Sequence, residues 1–237
     1  MVENILKLKR WKVNVSTVNI GKYALDRGKV SMSEILILGM CKNNKSIYEV
    51  VGYLIDTRKF CKFELKDIFN KNKRAWDIGA ITKVEGFQKI SDYNIKVIGD
   101  CVLDRHLEKK ELKEFLNSKK EDFMEFIKSP NIIFCVIKPK VIKKIYTIDN
   151  KYYIEIICEG IEKKIQIKDV RWVEYWNYIQ NKKKDILKEK EEYYRKFLND
   201  RDTYFIGYKE VIPDKNNNNR FKKKPLLFIN IISVFWF

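Results

Sequence analysis

The last twelve residues of the chain constrain its fold most, because all of them except Asn230 and Ser233 are apolar. A helix needs about 20 residues to cross a bilayer, and a lone strand leaves its backbone groups unbonded in lipid, so we predict no transmembrane segment. As a strand, this segment carries apolar side chains on both faces, which is typical of a strand covered on both sides. We therefore predict a buried closing strand. A strand completed by a protein partner and peripheral membrane attachment are the alternatives.

Short runs rich in β-branched and aromatic residues indicate strands in both halves of the chain. In the first half they lie between Trp11 and about Leu65. Helical periodicity replaces them over residues 104–128, where Ser118 and Glu121 form a capping-box pattern that predicts a second helix. The first half is therefore predicted to be a strand-rich region followed by helices.

The second half has a clearer order of elements. Its sequence predicts three short strands, with Asp149-Asn150 and Glu159-Gly160 as the turns between them. Asp169 is a candidate N-cap for a long helix over residues 169–198, and two further strands follow. This order is compatible with a five-stranded barrel of the OB type that has a helix inserted late.

We therefore predict an α+β, β-rich fold of two small antiparallel barrel-like (OB-type) domains with intervening helices. A chain of 237 residues with 45% hydrophobic content is long enough to give each domain a core. The expected divisions are an N-terminal β-rich domain over residues 1–103, a helical connector over 104–129, and a C-terminal OB-like barrel over 130–237.

The charge of the chain is strongly positive. A formal net charge of +17 and a pI near 9.5 favour polyanionic partners such as nucleic acid, or an anionic membrane surface. Lysine supplies 40 of the 49 cationic side chains, which favours neutralisation of a phosphate backbone over bidentate recognition of bases. An A/T-rich coding sequence produces the same lysine excess. Charge alone therefore does not distinguish a nucleic-acid-binding surface from a basic surface that is only solvated.

Four stretches interleave cations with aromatic rings, a combination that neutralises phosphates and stacks on bases. Any one of the rings can instead be a core residue, but together the four stretches favour a nucleic-acid surface. The predicted nucleic-acid-binding residues are Lys9, Arg10, Trp11, Lys12, Arg74, Trp76, Lys143, Lys144, Tyr146, Tyr153, Arg220, Lys222, Lys223 and Lys224.

Patterns that indicate catalysis are sparse. The one histidine, His106, is interpreted as a surface helix residue, and the chain contains neither a G-x-x-x-x-G-K-[ST] nor a G-x-G-x-x-G motif. The alternative to a non-catalytic protein is a Mg²⁺-dependent nuclease, in which Asp56 and Glu64 bind the metal and Lys66 stabilises the attacking water or the phosphate. A solvated hairpin face explains the same three residues. We expect no catalytic residues, no metal and no cofactor.

The five cysteines are widely separated and never form a C-x-x-C pair, so we predict no zinc ribbon. Most of them lie in apolar surroundings, where a free thiol behaves as a small core residue. A cytoplasmic location fits this composition. The N-terminal residues lack the uninterrupted apolar run and the cleavage site of a signal peptide, so we expect no export.

The stretch from Ile132 to the end resembles the second half of the dual OB-fold domain family. The resemblance covers about 105 residues and is carried by strand order and by Ile167, Asp169 and Trp172 in "IKDVRW". It implies a bacterial or archaeal intracellular protein that binds nucleic acid, often in antiviral defence systems, and it implies no catalytic residues.

Charge, interleaved aromatic residues and this resemblance together predict a non-catalytic module that binds RNA or single-stranded DNA. A protein-interaction subunit that uses the apolar C-terminal strand to bind a partner is the further alternative.

Overall fold

The computed structural model describes residues 32–42, 47–65, 73–182, 186–212 and 226–237, and the segment Ser31–Phe237 forms one compact unit. The first strands are β1 (Ser33–Lys42), β2 (Tyr48–Leu54), β3 (Lys59–Leu65), β4 (Ala80–Lys89) and β5 (Ile95–His106), with a 3-10 turn at Lys73–Trp76. The later elements are α1 (Lys109–Ser118), α2 (Phe123–Lys128), β6 (Phe134–Ile137), β7 (Val141–Ile148), β8 (Lys151–Cys158), β9 (Ile161–Ile167), α3 (Val170–Lys182), α4 (Leu187–Asn199), β10 (Thr203–Ile212) and β11 (Leu226–Trp236).

The first five strands form the first barrel. Their order is β3-β2-β1-β4-β5, and every neighbouring pair is antiparallel. The two edges of this sheet meet through a parallel bridge between Lys62 and Asn94, where Lys62 N donates a 2.7 Å hydrogen bond to Tyr93 O. Apolar side chains such as Ile35, Val50 and Phe63 fill the interior. This arrangement is a partly open, five-stranded barrel of the OB type.

The remaining strands form a second sheet of order β6-β10-β11-β9-β8-β7. The pair β9–β11 is parallel, and the other neighbours are antiparallel. The edge strands β6 and β7 are consecutive in the chain, with residues 138–140 between them. Because the four steps from Ile137 to Val141 span at most about 14 Å, the end of one edge strand lies near the start of the other and the sheet curls into a second barrel. The predicted fold class, an α+β fold with two OB-type domains, is confirmed.

The C-terminal segment is the closing strand that its sequence predicts. Strand β11 lies inside the second sheet, paired along its length with β10 and at Asn230 and Ile231 with β9. Ile231, Ile232 and Ser233 are completely buried, so no partner strand is needed to cover them. No helix in the described part of the chain is long and apolar enough to span a membrane.

The two barrels pack face to face through a shared apolar core. The outer sides of β1 and β2 contribute Leu36, Leu38 and Tyr53, and the second barrel contributes Phe134, Tyr204, Ile206, Tyr208 and Ile232. Phe134 stacks on Tyr208 of its own sheet and on Phe60 of β3, with ring centroids 5.2 and 5.8 Å apart. The outer face of β2 and β3 is consequently buried between the barrels.

A glycine allows the closest approach between the barrels. A Cβ atom added to Gly39 would lie 2.8 Å from the backbone oxygen of Ile232, so a side chain there forces the barrels apart. We expect Gly39→Ala to lower the free energy of unfolding by about 1–3 kcal/mol, measured by chemical denaturation. Gly86→Ala is the control, because an added Cβ there meets nothing within 4 Å; equal effects of the two substitutions would contradict the close-packed interface.

Three details of the predicted helices are wrong. Strand β5 continues through His106, so this histidine ends a strand and the helical region begins at Lys109. Ser118 is the last residue of α1, and the N-cap of α2 is Asp122, whose carboxylate accepts from Glu125 N. The long helix predicted over residues 169–198 is two helices in the described residues, because α3 ends at Lys182 and α4 begins at Leu187 with Ile186 as its N-cap.

Asp169 is confirmed as the N-cap of α3. Its carboxylate, 1% exposed, accepts hydrogen bonds from Arg171 N and from Val234 N of β11. The Arg171 guanidinium forms a bidentate pair with the same carboxylate and also donates to Ser233 Oγ and Val234 O. Asp169 therefore joins the start of α3 to the closing strand of the second barrel.

Candidate nucleic-acid interface

Of the fourteen predicted nucleic-acid-binding residues, four lie in the second barrel, two lie in the first barrel and eight lie outside the described residues. The four in the second barrel are Lys143, Lys144, Tyr146 and Tyr153. Arg74 and Trp76 lie in the 3-10 turn of the first barrel. Lys9, Arg10, Trp11, Lys12, Arg220, Lys222, Lys223 and Lys224 lie outside the described residues.

Trp76 corrects the prediction for the first barrel. The ring is 1% exposed and packs inside that barrel against Phe63, with ring centroids 5.4 Å apart. Because the ring is covered on all sides, it cannot stack on a base. Arg74 is exposed, so its charge lies at the surface. The ring of Trp76, which the sequence pattern places beside this charge, is buried and cannot act together with it.

The nuclease alternative fails on the geometry of the β2–β3 hairpin. Asp56 lies in the turn between the strands, whereas Glu64 pairs with Glu49 near the opposite end. Glu64 lies five steps along the strand from Lys59 at the turn, which is roughly 16 Å, and two ligands of one Mg²⁺ must each lie about 2 Å from it. Lys66 lies outside the described residues. No group of potential metal ligands occurs among the residues that the structure describes.

The cysteines also offer no reactive site. All five are buried and none forms a disulfide, as their apolar sequence surroundings predict. Burial raises the pKa of Cys61 to about 12, so its thiolate, the nucleophilic form, is not populated at neutral pH.

The two barrels differ in the surface formed by their second and third strands, which lies at the protein surface in the second barrel and is packed against the other barrel in the first. In OB folds the second and third strands form the surface that binds oligonucleotides. In the first barrel these are β2 and β3, whose outer side chains Val51, Tyr53 and Phe60 pack against the second barrel. In the second barrel the first strand is divided into β6 and β7, so the corresponding strands are β8 and β9. Their outer side chains include half-buried Tyr153 and exposed Lys164.

A stacked tyrosine pair marks this open face. Asp149 and Asn150 both have positive φ, 49° and 58°, which is the two-residue hairpin turn that matches the twist of its strands. This turn fixes the register of β7 and β8, and Tyr146 therefore lies directly opposite Tyr153. The two rings stack with centroids 5.8 Å apart and planes inclined by 23°.

Two lysines lie over these rings. Lys144 Nζ is 4.9 Å from the ring centroid of Tyr146, and Lys164 Nζ is 4.4 Å from that of Tyr153. Neither ammonium forms an ion pair with a carboxylate of the described residues. A cation over a ring at the protein surface gains only about 0.5–1 kcal/mol, so both ammonium groups can turn to a phosphate at little cost.

The pairing of β8 with β9 and of β9 with β11 extends the surface around the two tyrosines across two further strands. Tyr153 is paired with Gln166 of β9, and Gln166 with Asn230 of β11. Side chains in register, and those two residues apart on one strand, point to the same side of a sheet. Phe228, 48% exposed, therefore shares this side. We call the surface the tyrosine face and define it by Lys144, Tyr146, Tyr153, Lys164, Gln166 and Phe228.

Lys143 lies beside the tyrosine face but is already paired. The β7–β8 register shifts between Ile142 and Lys144, and this bulge turns both Lys143 and Lys144 outward. Lys143 Nζ lies 2.7 Å from Glu162 of β9, so its charge is largely neutralised. Of the two lysines predicted in this stretch, Lys144 is the one whose charge remains available.

Sequence reasoning missed three members of the face, namely Lys164, Gln166 and Phe228. The alternation in "KKIQIKDV" places Lys164 and Gln166 on the side opposite Ile165 and Ile167, which was a usable pattern. Phe228 had no local indication, because its position depends on the parallel pairing of β11 with β9.

A polar seam borders the tyrosine face where the barrels meet. Lys168 pairs with Glu210 at 2.5 Å, and Asn230 Nδ2 donates to the same carboxylate. On the side of the first barrel, Lys62 pairs with Glu49 at 3.1 Å and lies over the ring of Tyr208. Lys62 and Lys168 already pair with carboxylates, whereas Lys144 and Lys164 on the tyrosine face pair with no carboxylate in the part of the chain that the structure describes.

Comparisons with known proteins give a distant fold similarity. No family model matches the chain, and no curated protein matches it. Similar solved structures include the p202 HIN1 domain in complex with a 12-mer double-stranded DNA, 10% identical with a TM-score of 0.40, covering 87% of this chain and 96% of that one. The p204 HINb domain is 6% identical with a TM-score of 0.40, covering 85% and 97%. A murine DNA-binding protein bound with double-stranded DNA is 10% identical with a TM-score of 0.34, covering 84% and 94%. Similarities this distant carry no functional assignment to this chain.

Proposed function

We propose that the protein is a non-catalytic module that binds single-stranded nucleic acid, either RNA or DNA, through the tyrosine face. The observation that carries this proposal is the pair of stacked tyrosines under two lysines that have no carboxylate partner in the described residues. Exposed rings stack on unpaired bases and lysines neutralise the adjoining phosphates. A duplex keeps its bases stacked inside, so the rings favour a single strand.

Two further features support the same proposal. The net charge of +17 attracts a polyanion over long range, and the lysine excess suits a phosphate backbone. A cytoplasmic location is compatible with five free thiols. A role in antiviral defence and the domain divisions at residues 103 and 129 remain predictions, the former resting on the family resemblance alone.

The salt dependence of binding tests the proposal. We expect labelled single-stranded RNA or DNA to bind with an affinity that falls linearly in log salt, measured by fluorescence anisotropy. Replacing Lys144 and Lys164 with glutamine will reduce the steepness of that line by about 1.4, because each phosphate contact on a single strand contributes about 0.7.

The matched control removes two charges elsewhere. Lys110 and Lys196 lie on α1 and α4 with side chains 86% and 67% exposed, so changing both to glutamine alters the net charge equally. We expect the control to leave the slope nearly unchanged. The proposal fails if the control lowers the slope as much as the Lys144 and Lys164 pair, or if no oligonucleotide binds. Incubation with Mg²⁺ should leave the strand uncut, and shortening would revive the nuclease alternative.

A further inference from the structure

A single carboxylate lies in the middle of the tyrosine face. Glu155 of β8 is half-buried and is paired in register with Lys144 on one side and Lys164 on the other. Neither lysine forms an ion pair with it in the described part of the chain, since both ammonium groups lie over the tyrosine rings. Burial, together with this neighbouring carboxylate, raises the pKa of Tyr146 above its usual range.

This carboxylate is unfavourable beside phosphates but suitable beside a base. An anion among phosphate-binding groups repels the backbone of the bound strand. A carboxylate can, however, accept from the exocyclic amino group of a base, as in the pairing of Glu or Asp with cytosine N4. Uracil and thymine carry an acceptor oxygen at that position, which a carboxylate repels. A carboxylate has about four acceptor positions, so the neighbouring Tyr146 hydroxyl leaves positions on Glu155 for a base.

We propose that Glu155 makes the tyrosine face select cytosine over uracil or thymine. This inference rests on the proposed function, because it assigns a base preference to the same surface. The ring of Tyr146 or Tyr153 stacks on the base while Glu155, two residue pairs along the strands on the same side of the sheet, accepts from its amino group. Glu155 is thus a specificity-determining residue, and the lysines supply affinity.

Two homopolymers of equal length test the inference. Oligo(C) and oligo(U) have the same backbone and differ in the amino group or oxygen at position 4 of the base and in the hydrogen on N3. Because the amino group is the donor that Glu155 is placed to accept, we expect the wild-type protein to bind oligo(C) about tenfold more tightly at pH 7.5. Glu155→Gln should reduce the ratio to less than about twofold, because an amide can either donate or accept. The same change should strengthen oligo(U) binding, since it removes a negative charge.

A second carboxylate on the same side of the sheet provides the control. Glu162→Gln removes an equal charge from β9, where Glu162 pairs with Lys143, and should leave the ratio of the two affinities unchanged. Equal binding of oligo(C) and oligo(U) by the wild type, or a preference that survives Glu155→Gln, would overturn the inference while the proposed function stands. Failure of both homopolymers to bind would overturn the proposed function itself.

Discussion

Replacing Asp169 with alanine will lower the free energy of unfolding by about 3 kcal/mol. The carboxylate is buried and accepts from two backbone N–H groups, those of Arg171 and Val234, as well as from the Arg171 guanidinium. Loss of an N-cap costs about 1 kcal/mol, and a buried backbone donor left without a partner costs about 1–3 kcal/mol. Chemical denaturation followed by far-UV circular dichroism measures the change.

An exposed aspartate gives the comparison for this substitution. Asp92 pairs with Lys89, and its side chain is 95% exposed, so Asp92→Ala should change stability by less than about 0.5 kcal/mol. Asp169→Asn should fall between the two alanine variants, because an amide oxygen still accepts at the helix start but the charge opposite Arg171 is gone. A stability of Asp169→Ala within 0.5 kcal/mol of wild type would contradict the role assigned to this carboxylate.

Replacing Tyr153 with alanine will weaken binding of a single-stranded oligonucleotide by about 10- to 100-fold, since stacking on an aromatic ring is worth about 1–3 kcal/mol per base. The ring is half-buried on the outer surface of the second barrel, so its removal should leave the thermal unfolding midpoint nearly unchanged. Tyr153→Phe keeps the stacking ring and should bind within about threefold of wild type. Anisotropy titration at fixed salt measures all of these affinities.

Tyr178 is the matched control for the loss of a tyrosine ring. It lies on α3 with 56% of the residue exposed and outside the tyrosine face. Tyr178→Ala should therefore bind like wild type. Weakening of equal size in Tyr178→Ala and Tyr153→Ala would mean that the rings act without regard to position, which is incompatible with a defined binding face.

Local patterns in the sequence predicted much of the fold. The closing strand followed from apolar residues on both of its faces, and the turns at Asp149-Asn150 and Glu159-Gly160 followed from residues that tolerate positive φ. The N-cap at Asp169 was predicted for a similar reason, because its chemistry acts within one helical turn. In each case the interaction that fixes the structure lies within a few residues.

The errors concern features that depend on distant parts of the chain. Trp76 lies beside cations in the sequence, but its burial depends on the packing of a barrel closed by Lys62 and Asn94. Asp56 and Glu64 are eight positions apart in the sequence, but hairpin pairing moves them to opposite ends. Phe228 joins the tyrosine face only because β11 pairs in parallel with β9, and no local pattern indicates such a pairing.

Photocrosslinking is the most direct test that nucleic acid binds at the tyrosine face. A single-stranded oligonucleotide carrying photoreactive halogenated cytosines would be irradiated with the wild-type protein, and the attached peptides would be identified by mass spectrometry. We predict attachment at Tyr146, Tyr153 or Phe228, the rings of the face. Attachment confined to residues outside the tyrosine face, with these three rings unmodified, would contradict the proposed site.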